Sequence, residues 1–523
     1  GLLTPILILI GTYFGLSLTM YLQNYWMVGI AQQTVYRLRT DLFGKLQRLP
    51  ISFFDKRQHG EIMSRLTNDI ENISQTLNSS FIQVFSSIIT LTGTVGIMLY
   101  LSPLLTVLTM TIIPVMFIAM RWITRRTGIL FKEQQRAVGA LNGFIEEAVS
   151  GQAVIKTFSQ EQRMIEEFEE KSARLRNTGF WALTYSGYIP KVMNFLNNAA
   201  FAIVAGIGGL LALRGDGIVT IGTIVIFSEY ARQFTRPLND LANQFNTVLS
   251  AIAGAERVFE MMDEEAEADT GQDLQIGQLQ GKVTFDQVSF AYDPIDGETI
   301  LHDVSFEVQP GESVAFVGPT GAGKTTIMQL VTRFYDATKG EIRIDGRPID
   351  MISRQSLRQA MAFVLQDSFL FEASVLENIR YGRLNASDEE VIQAAKEANA
   401  HPFIMKLPAG YDTVITADGG QLSQGEKQLL SIARAFVADP TILLLDEATS
   451  SIDTLTEMHI QSALERLMEG RTSFMIAHRL NTVRQADTVY VLRDGRIVEQ
   501  GPQQELIDQQ GIYYEMLQAN EMD

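Results

Sequence analysis

"SVAFVGPTGAGKTT", residues 313–326, decides the fold of the second half of this chain. Its first residues form a short apolar run, which reads as a buried strand. Gly318 to Thr326 then fit the spacing G-x-x-x-x-G-K-[ST], between that strand and a predicted helix. Glycines at 318, 321 and 323 let successive backbone N–H groups, with those of Thr320 and Thr326, converge on phosphate oxygens. The helix N-terminus adds favourable partial charge. Lys324 supplies a cation for the β- and γ-phosphates, and Thr325 a hydroxyl for Mg²⁺. Together these residues define a site for nucleotide phosphates.

Further along, "TILLLDE" (441–447) reads as a buried parallel strand ending in two carboxylates. Asp446 suits the Mg²⁺ shell. Glu447, beside it, suits a general base that polarises the attacking water. Two acids at a strand end also serve as a plain helix cap. The apolar run before them and the phosphate loop upstream favour chemistry. The fold class expected here is an α/β P-loop domain over 283–523, and a family resemblance carried by the further motifs implies the RecA-like kind with a helical subdomain.

The first half is different. The 523 residues are 46% hydrophobic and 20% charged, and the long apolar runs fall before about residue 263. A hydrocarbon core of ~30 Å needs ~20 apolar helical residues. Five candidate spans result: Leu2–Ile30, Phe81–Leu101, Leu104–Trp122, Tyr188–Leu213 and Ile218–Phe234. Arg37, Arg39, Lys45, Arg48, Lys56, Arg57 and Arg65 follow the first span, and Arg121, Arg125, Arg126, Lys132 and Arg136 follow the third. Both segments therefore read as cytoplasmic. The short connections at 102–103 and 214–217 read as external, which leaves Gly1 outside and implies one further span ahead of it. The cytoplasmic stretches 31–80 and 123–187 are rich in helix formers, so stiff helical arms are expected. This gives an all-α transmembrane bundle with long intracellular extensions over 1–263, then a polar linker over 264–282. Glu229, Arg232, Arg236, Asn239, Asn243, Asn246 and Ser250 recur every three or four residues, a polar stripe on one helix face. It either lines a water-filled cavity or is a local Glu229–Arg232 pair followed by cytoplasmic helix. Asn194, Asn197 and Asn198 are similar candidates.

The formal net charge of −18 argues against a nucleic-acid partner. Without cysteine there is neither disulfide nor thiol chemistry.

In family order and over essentially the whole length, these motifs resemble an ATP-binding cassette (ABC) exporter half, a membrane domain fused to a nucleotide-binding domain. The resemblance implies that Tyr292 stacks on adenine. Gln366 in "FVLQDSFLF" senses Mg²⁺ and the membrane domain. Ser423 and Gly425 contact the γ-phosphate of a nucleotide on the opposite cassette. Asp453 in "SSID" acts across the dimer, and His478 in "IAHRL" is the switch histidine. Residues 53–69 and 153–163 resemble the intracellular loops, with coupling helices near Phe53–Gly60 and Phe158–Arg163. The implied protein is a multi-pass cell-membrane pump with its cassette in the cytoplasm, carrying drugs or lipids.

"LSQGE" (422–426) departs from the family's usual Leu-Ser-Gly-Gly-Gln at Gln424 and Glu426. Ala417 also stands where exporters often carry Glu. Each site in this family joins the phosphate loop of one chain to the signature of the other. The chain's own catalytic set is therefore intact, and its contribution to a partner's site is altered. Gln424 restricts a backbone that approaches phosphate, and Glu426 sets an anion near an anion. The pattern resembles the consensus half of asymmetric heterodimeric exporters, whose other half carries a degenerate Walker B glutamate. The alternatives are a homodimer that tolerates both residues, or an ATP-gated regulator with little net transport.

Overall fold

The computed structural model describes residues 3–213, 220–233, 235–269, 271–274, 277, 279–293, 297–365, 368–416, 421–446, 453–476, 483–484 and 486–521. The chain divides into two compact units. One comprises Gly1–Leu46 with Gly60–Glu264, the other Gln47–His59 with Glu265–Asp523.

The first unit is helical. Leu3–Leu46, His59–Leu101 and Glu161–Leu213 are each long and apolar enough to cross a membrane. The third expected span instead falls on two helices, Pro103–Met110 and Ile112–Ser150. Pro114 explains the break: its ring clashes with the carbonyl four residues back, at Met110, and it donates no hydrogen bond. The fifth falls on the shorter helix Ile221–Gln233. The polar Ser102 caps Pro103–Met110 by accepting from Leu105 N–H. Most apolar side chains between Leu3 and Ile30 are more than half exposed, as a lipid-facing helix requires.

His59–Leu101 contains two π-helical turns, Arg65–Asp69 and Thr76–Ser80. Arg65 and Asp69 are buried there, although charged. Their partners come from the helix Thr235–Asp263 and, for Arg65, also from one turn back in its own stretch. Arg257 donates through Nε to Asp69 Oδ2 at 2.9 Å and also bonds Oδ1. Arg65 donates to the Arg257 carbonyl at 3.2 Å and pairs with Glu61. Buried charge is tolerated only when paired in this way.

The second unit is α/β. Strands β1 (Val283–Ala291), β2 (Thr299–Val308), β4 (Lys339–Ile344) and β5 (Arg347–Pro348) form an antiparallel sheet in the order β2-β1-β4-β5. Strands β3 (Ser313–Val317), β6 (Met361–Val364), β7 (Ile442–Asp446), β8 (Thr472–Ile476), β9 (Thr488–Arg493) and β10 (Arg496–Gly501) form the other, ordered β10-β9-β3-β8-β7-β6. From β9 to β6 the pairing is parallel. Alternation along each strand sorts its residues between two cores. Val314 and Phe316 of β3 join Phe285, Phe306 and Phe474 between the sheets. Ala315 and Val317 join Leu443, Leu445 and the helices beyond. Because both faces are covered, β7 reads as an unbroken apolar run.

The polar segment expected as a linker packs on this unit. Glu267 accepts from Arg358 at 2.6 and 2.9 Å, and Gln272 pairs with Ile352 as a parallel bridge. Short helices lie at Ile51–Asp55 and Gln152–Thr157. Both begin before the expected coupling helices. Pro50, extended at φ −66° and ψ 155°, starts the first, and Ser159 at φ 53° follows the second.

Candidate nucleotide site and signature segment

Parallel strands aim their carboxyl ends at one edge of the sheet, where α/β domains hold ligands. Strands β3 and β7 end there at Val317 and Asp446, and β3 runs straight into the phosphate loop. Two glycines make this loop possible. Gly323 caps the next helix, Lys324–Val331, in the left-handed conformation at φ 98°. A Cβ at Gly318 would stand 2.3 Å from the Leu492 carbonyl oxygen. Lys324 is buried, and its ammonium donates to the carbonyls of Gly318 at 2.7 Å and Pro319 at 3.0 Å. Thr320 and Gly321 on the loop and Thr325 at the start of the helix are exposed. Thr326 is buried, with its hydroxyl 3.1 Å from that of Tyr292.

Tyr292 follows β1 and is 38% exposed, which leaves ring surface open for stacking. Its hydroxyl donates to Gln329 Oε1 at 2.7 Å. The ring stands edge-on to Phe290 and to Tyr335, at 4.9 and 5.1 Å between centroids. The Tyr335 phenol lies well above its ordinary pKa, mainly through burial and then through its hydrogen bond to Asp55.

Ser423 is the N-cap of the helix Gln424–Ala438. Its hydroxyl accepts from Glu426 N–H at 3.3 Å, and its own N–H donates to Glu426 Oε2 at 2.8 Å. This is a capping box, which satisfies two helix-end donors reciprocally. The Ser423 hydroxyl also donates to Glu426 Oε2 at 2.9 Å. Gly425 is buried in the first turn and Gln424 is exposed. Asp453 caps the helix Thr454–Met468 by accepting from Thr456 N–H at 3.0 Å, which holds its carboxyl below the usual range.

The expectations for Gln366, Glu447 and His478 fall outside the described residues, as do those for Ala417 and the side chains of Arg232, Asn239, Asn243 and Asn246. In sequence, Gln366 follows β6 by two residues, Glu447 follows β7 directly, and His478 follows β8 by two. In the stripe itself, Glu229 is exposed and accepts from Gln233 at 3.2 Å.

Sequence reasoning missed two features. Ser423-x-x-Glu426 has the capping-box spacing, and that signal was available. Tyr335 was not singled out, and no local signal marks it.

The fold and site define a P-loop nucleotide-binding cassette carried on a helical membrane domain. Residues 2–238 match the ABC transporter transmembrane region and residues 301–450 the ABC transporter family. The chain belongs to the ABC transporters, as an exporter with fused membrane and ATP-binding domains, driven by ATP. It is 58% identical to the uncharacterized ABC transporter ATP-binding protein YfiC of Bacillus subtilis (strain 168), over 99% of this chain and 85% of that protein. It is 43% identical to a fatty acid ABC transporter ATP-binding/permease protein of Mycobacterium tuberculosis, over 97% and 80%. An ATP-dependent lipid A-core flippase of Syntrophus aciditrophicus is 37% identical, over 95% and 82%. Among solved structures, a bacterial Atm1-family ABC exporter with ATP bound superposes with TM-score 0.73 at 33% identity, covering 94% of this chain and 86% of that one. The protein is accordingly a multi-pass membrane protein, of a family that works as dimers.

Proposed function

We propose that this chain is the catalytically intact half of a heterodimeric exporter for amphipathic or hydrophobic compounds, drugs or lipids. The cargo class is supported by relatives named for fatty acid, lipid A-core and multidrug transport.

In this reading Tyr292 stacks on adenine, and the backbone of 318–326 with Lys324 holds the phosphates. Thr325 hydroxyl, Asp446 carboxylate and Gln366 would hold Mg²⁺. The exposed hydroxyl at the helix start and the carboxylate ending β7 are hard oxygen donors of the kind this ion takes. Bound there, the ion neutralises charge on the phosphate oxygens. Glu447 orients and polarises the attacking water, with His478 beside the γ-phosphate. Ser423, Gly425 and Asp453 face the nucleotide held by the partner chain.

The observation that supports the asymmetry is the charge of the Glu426 carboxylate, whose Oε2 lies 2.9 Å from the Ser423 hydroxyl. A hydroxyl has one proton to donate. Here Glu426 takes it and also takes the Ser423 N–H, so the partner's γ-phosphate meets a carboxylate already seated on its donors. The site completed by LSQGE is then the weak one. The strong one joins this chain's phosphate loop and Glu447 to the partner's signature.

The test compares ATPase activity of the purified chain with and without a co-expressed partner. Glu447→Gln abolishes most turnover while ATP stays bound. The pair Gln424→Gly with Glu426→Gln raises turnover only slightly, because the partner's own base is weak. A lone chain active as a symmetric homodimer with two equivalent sites refutes the heterodimer and leaves the pump standing.

A further inference from the structure

The phosphate-loop helix ends in the turn 332–336, and this turn is pinned from several sides. Arg333 is buried at φ 53° and donates to the carbonyls of Ile349 at 3.2 Å and Ile352 at 2.8 Å. Its Nε donates to Asp336 at 3.0 Å. The fixed turn presents Tyr335. Its ring packs edge-on against Tyr292 at 5.1 Å and Phe290 at 5.5 Å, and its hydroxyl donates to Asp55 Oδ2 at 2.6 Å.

Asp55 closes the short helix Ile51–Asp55 in the segment 47–59, which joins the two long helices Leu3–Leu46 and His59–Leu101 in sequence. The other end of that segment reaches the same turn by a second route. The Arg48 carbonyl accepts from Glu267 N–H at 2.8 Å. Glu267 is held by Arg358, which in turn donates to the carbonyls of Thr332 at 3.3 Å and Arg333 at 2.9 Å. Both ends of the segment between two membrane helices therefore hang on the turn behind the phosphate loop. One of the two attachments runs through the ring that touches Tyr292.

We propose that Tyr335 is a positioning residue that transmits occupancy of the base platform at Tyr292 to the segment 47–59 through Asp55. This rests on the reading of Tyr292 as the adenine platform. A base lying on Tyr292 fixes that ring, the edge-on contact fixes Tyr335, and the Tyr335–Asp55 bond fixes the end of the helix Ile51–Asp55. Phosphates alone, held by the loop, leave the face of the Tyr292 ring uncovered, with only the Thr326 hydroxyl against the Tyr292 hydroxyl. The chain's response is thereby keyed to a nucleotide with a stacking base.

The experiment is hydrogen–deuterium exchange of amides 47–59 in the full-length transporter in lipid nanodiscs. Its probes are a non-hydrolysable ATP analogue and inorganic tripolyphosphate. In the wild type the analogue slows exchange across 47–59 by about fivefold, the weight of one net hydrogen bond. Tripolyphosphate at saturation leaves it unchanged. Asp55→Ala and Tyr335→Phe both abolish the analogue's effect, and the double variant adds nothing further. Asp55→Ala keeps analogue affinity and basal ATPase activity. A bond with a merely structural role raises exchange in the variants equally with and without nucleotide. Equal protection by both probes in the wild type, or protection that survives Tyr335→Phe, overturns the proposal. Failure of the platform reading is distinguished by Tyr292→Ala: unchanged analogue affinity in that variant removes the platform itself.

Discussion

Glu426→Gln offers the sharpest test of the electrostatic reasoning. In the wild type, Oε2 lies 2.9 Å from the Ser423 hydroxyl oxygen and 2.8 Å from the Ser423 nitrogen. A phosphate oxygen taking the same hydroxyl proton would approach to ~2.7 Å. The two anions would then stand roughly 5 Å apart. Their repulsion is about 1 kcal/mol at the dielectric of water and about 3 kcal/mol at an effective value near 20. Glutamine keeps the capping box, since its amide oxygen still accepts, but it carries no charge. Removing the repulsion should therefore tighten nucleotide binding at the site this segment completes by about 5- to 150-fold. The gain should shrink as salt rises, because part of it is screened. Stability should change little, with a loss of about 0.3–1 kcal/mol from the helix dipole. The assay is titration of a fluorescent non-hydrolysable ATP analogue at low and high salt. Affinity unchanged at low salt, or a gain independent of salt, refutes the reasoning.

Three further outcomes follow from the described geometry. Tyr292→Ala should weaken ATP binding by about 5- to 150-fold with little effect on the fold, since base–aromatic stacking is worth ~1–3 kcal/mol; unchanged affinity in a nucleotide titration counts against the platform. Arg257→Met leaves the buried Asp69 carboxylate without its main partner and should cost about 3 kcal/mol, the low end for a broken buried pair because Arg257 is half exposed; thermal unfolding that matches the wild type would show the pair contributes nothing. Glu229→Cys, in a chain otherwise free of cysteine, should react with a water-soluble maleimide in the inward- or the outward-facing state; a thiol inert in both removes Glu229 from any aqueous cavity.

Local chemistry was legible in the sequence, and long-range contacts were not. The phosphate loop could be read because its function demands residue types at fixed spacing within nine positions. The strand before it could be read because apolar side chains on both faces require an apolar run. Pro114 and Pro50 carry equally local signals of a helix break and a helix start, which the expected span Leu104–Trp122 and coupling helix Phe53–Gly60 did not use. The segment 264–282 looked like a free linker because its acidic residues have no local partners. Glu267 finds Arg358 some ninety positions away, and tertiary pairing leaves no mark on periodicity. Asp55 lies in the expected coupling helix, but Tyr335 stands 280 positions away and nothing local in the sequence pairs the two. The capping box is the opposite case. Its signal was local and plain, but the same five residues were read for their part in a second chain's site.

That double reading bears on why Glu426 is charged. Glutamine and glutamate both complete a capping box, so helix formation is satisfied by the family's usual residue and by this one. What the substitution changes is the charge beside the donors of Ser423. A homodimer would place that carboxylate in both of its sites and weaken ATP binding at each by the ~1–3 kcal/mol of like-charge repulsion. A heterodimer confines the repulsion to one site and leaves unencumbered the one built from this chain's own phosphate loop. Only the second arrangement keeps the intact catalytic residues of this chain opposite an intact signature. The proposed asymmetry rests on one bonded carboxylate, and restoring Gln at 426 in a symmetric assembly would have to accelerate turnover at both sites together.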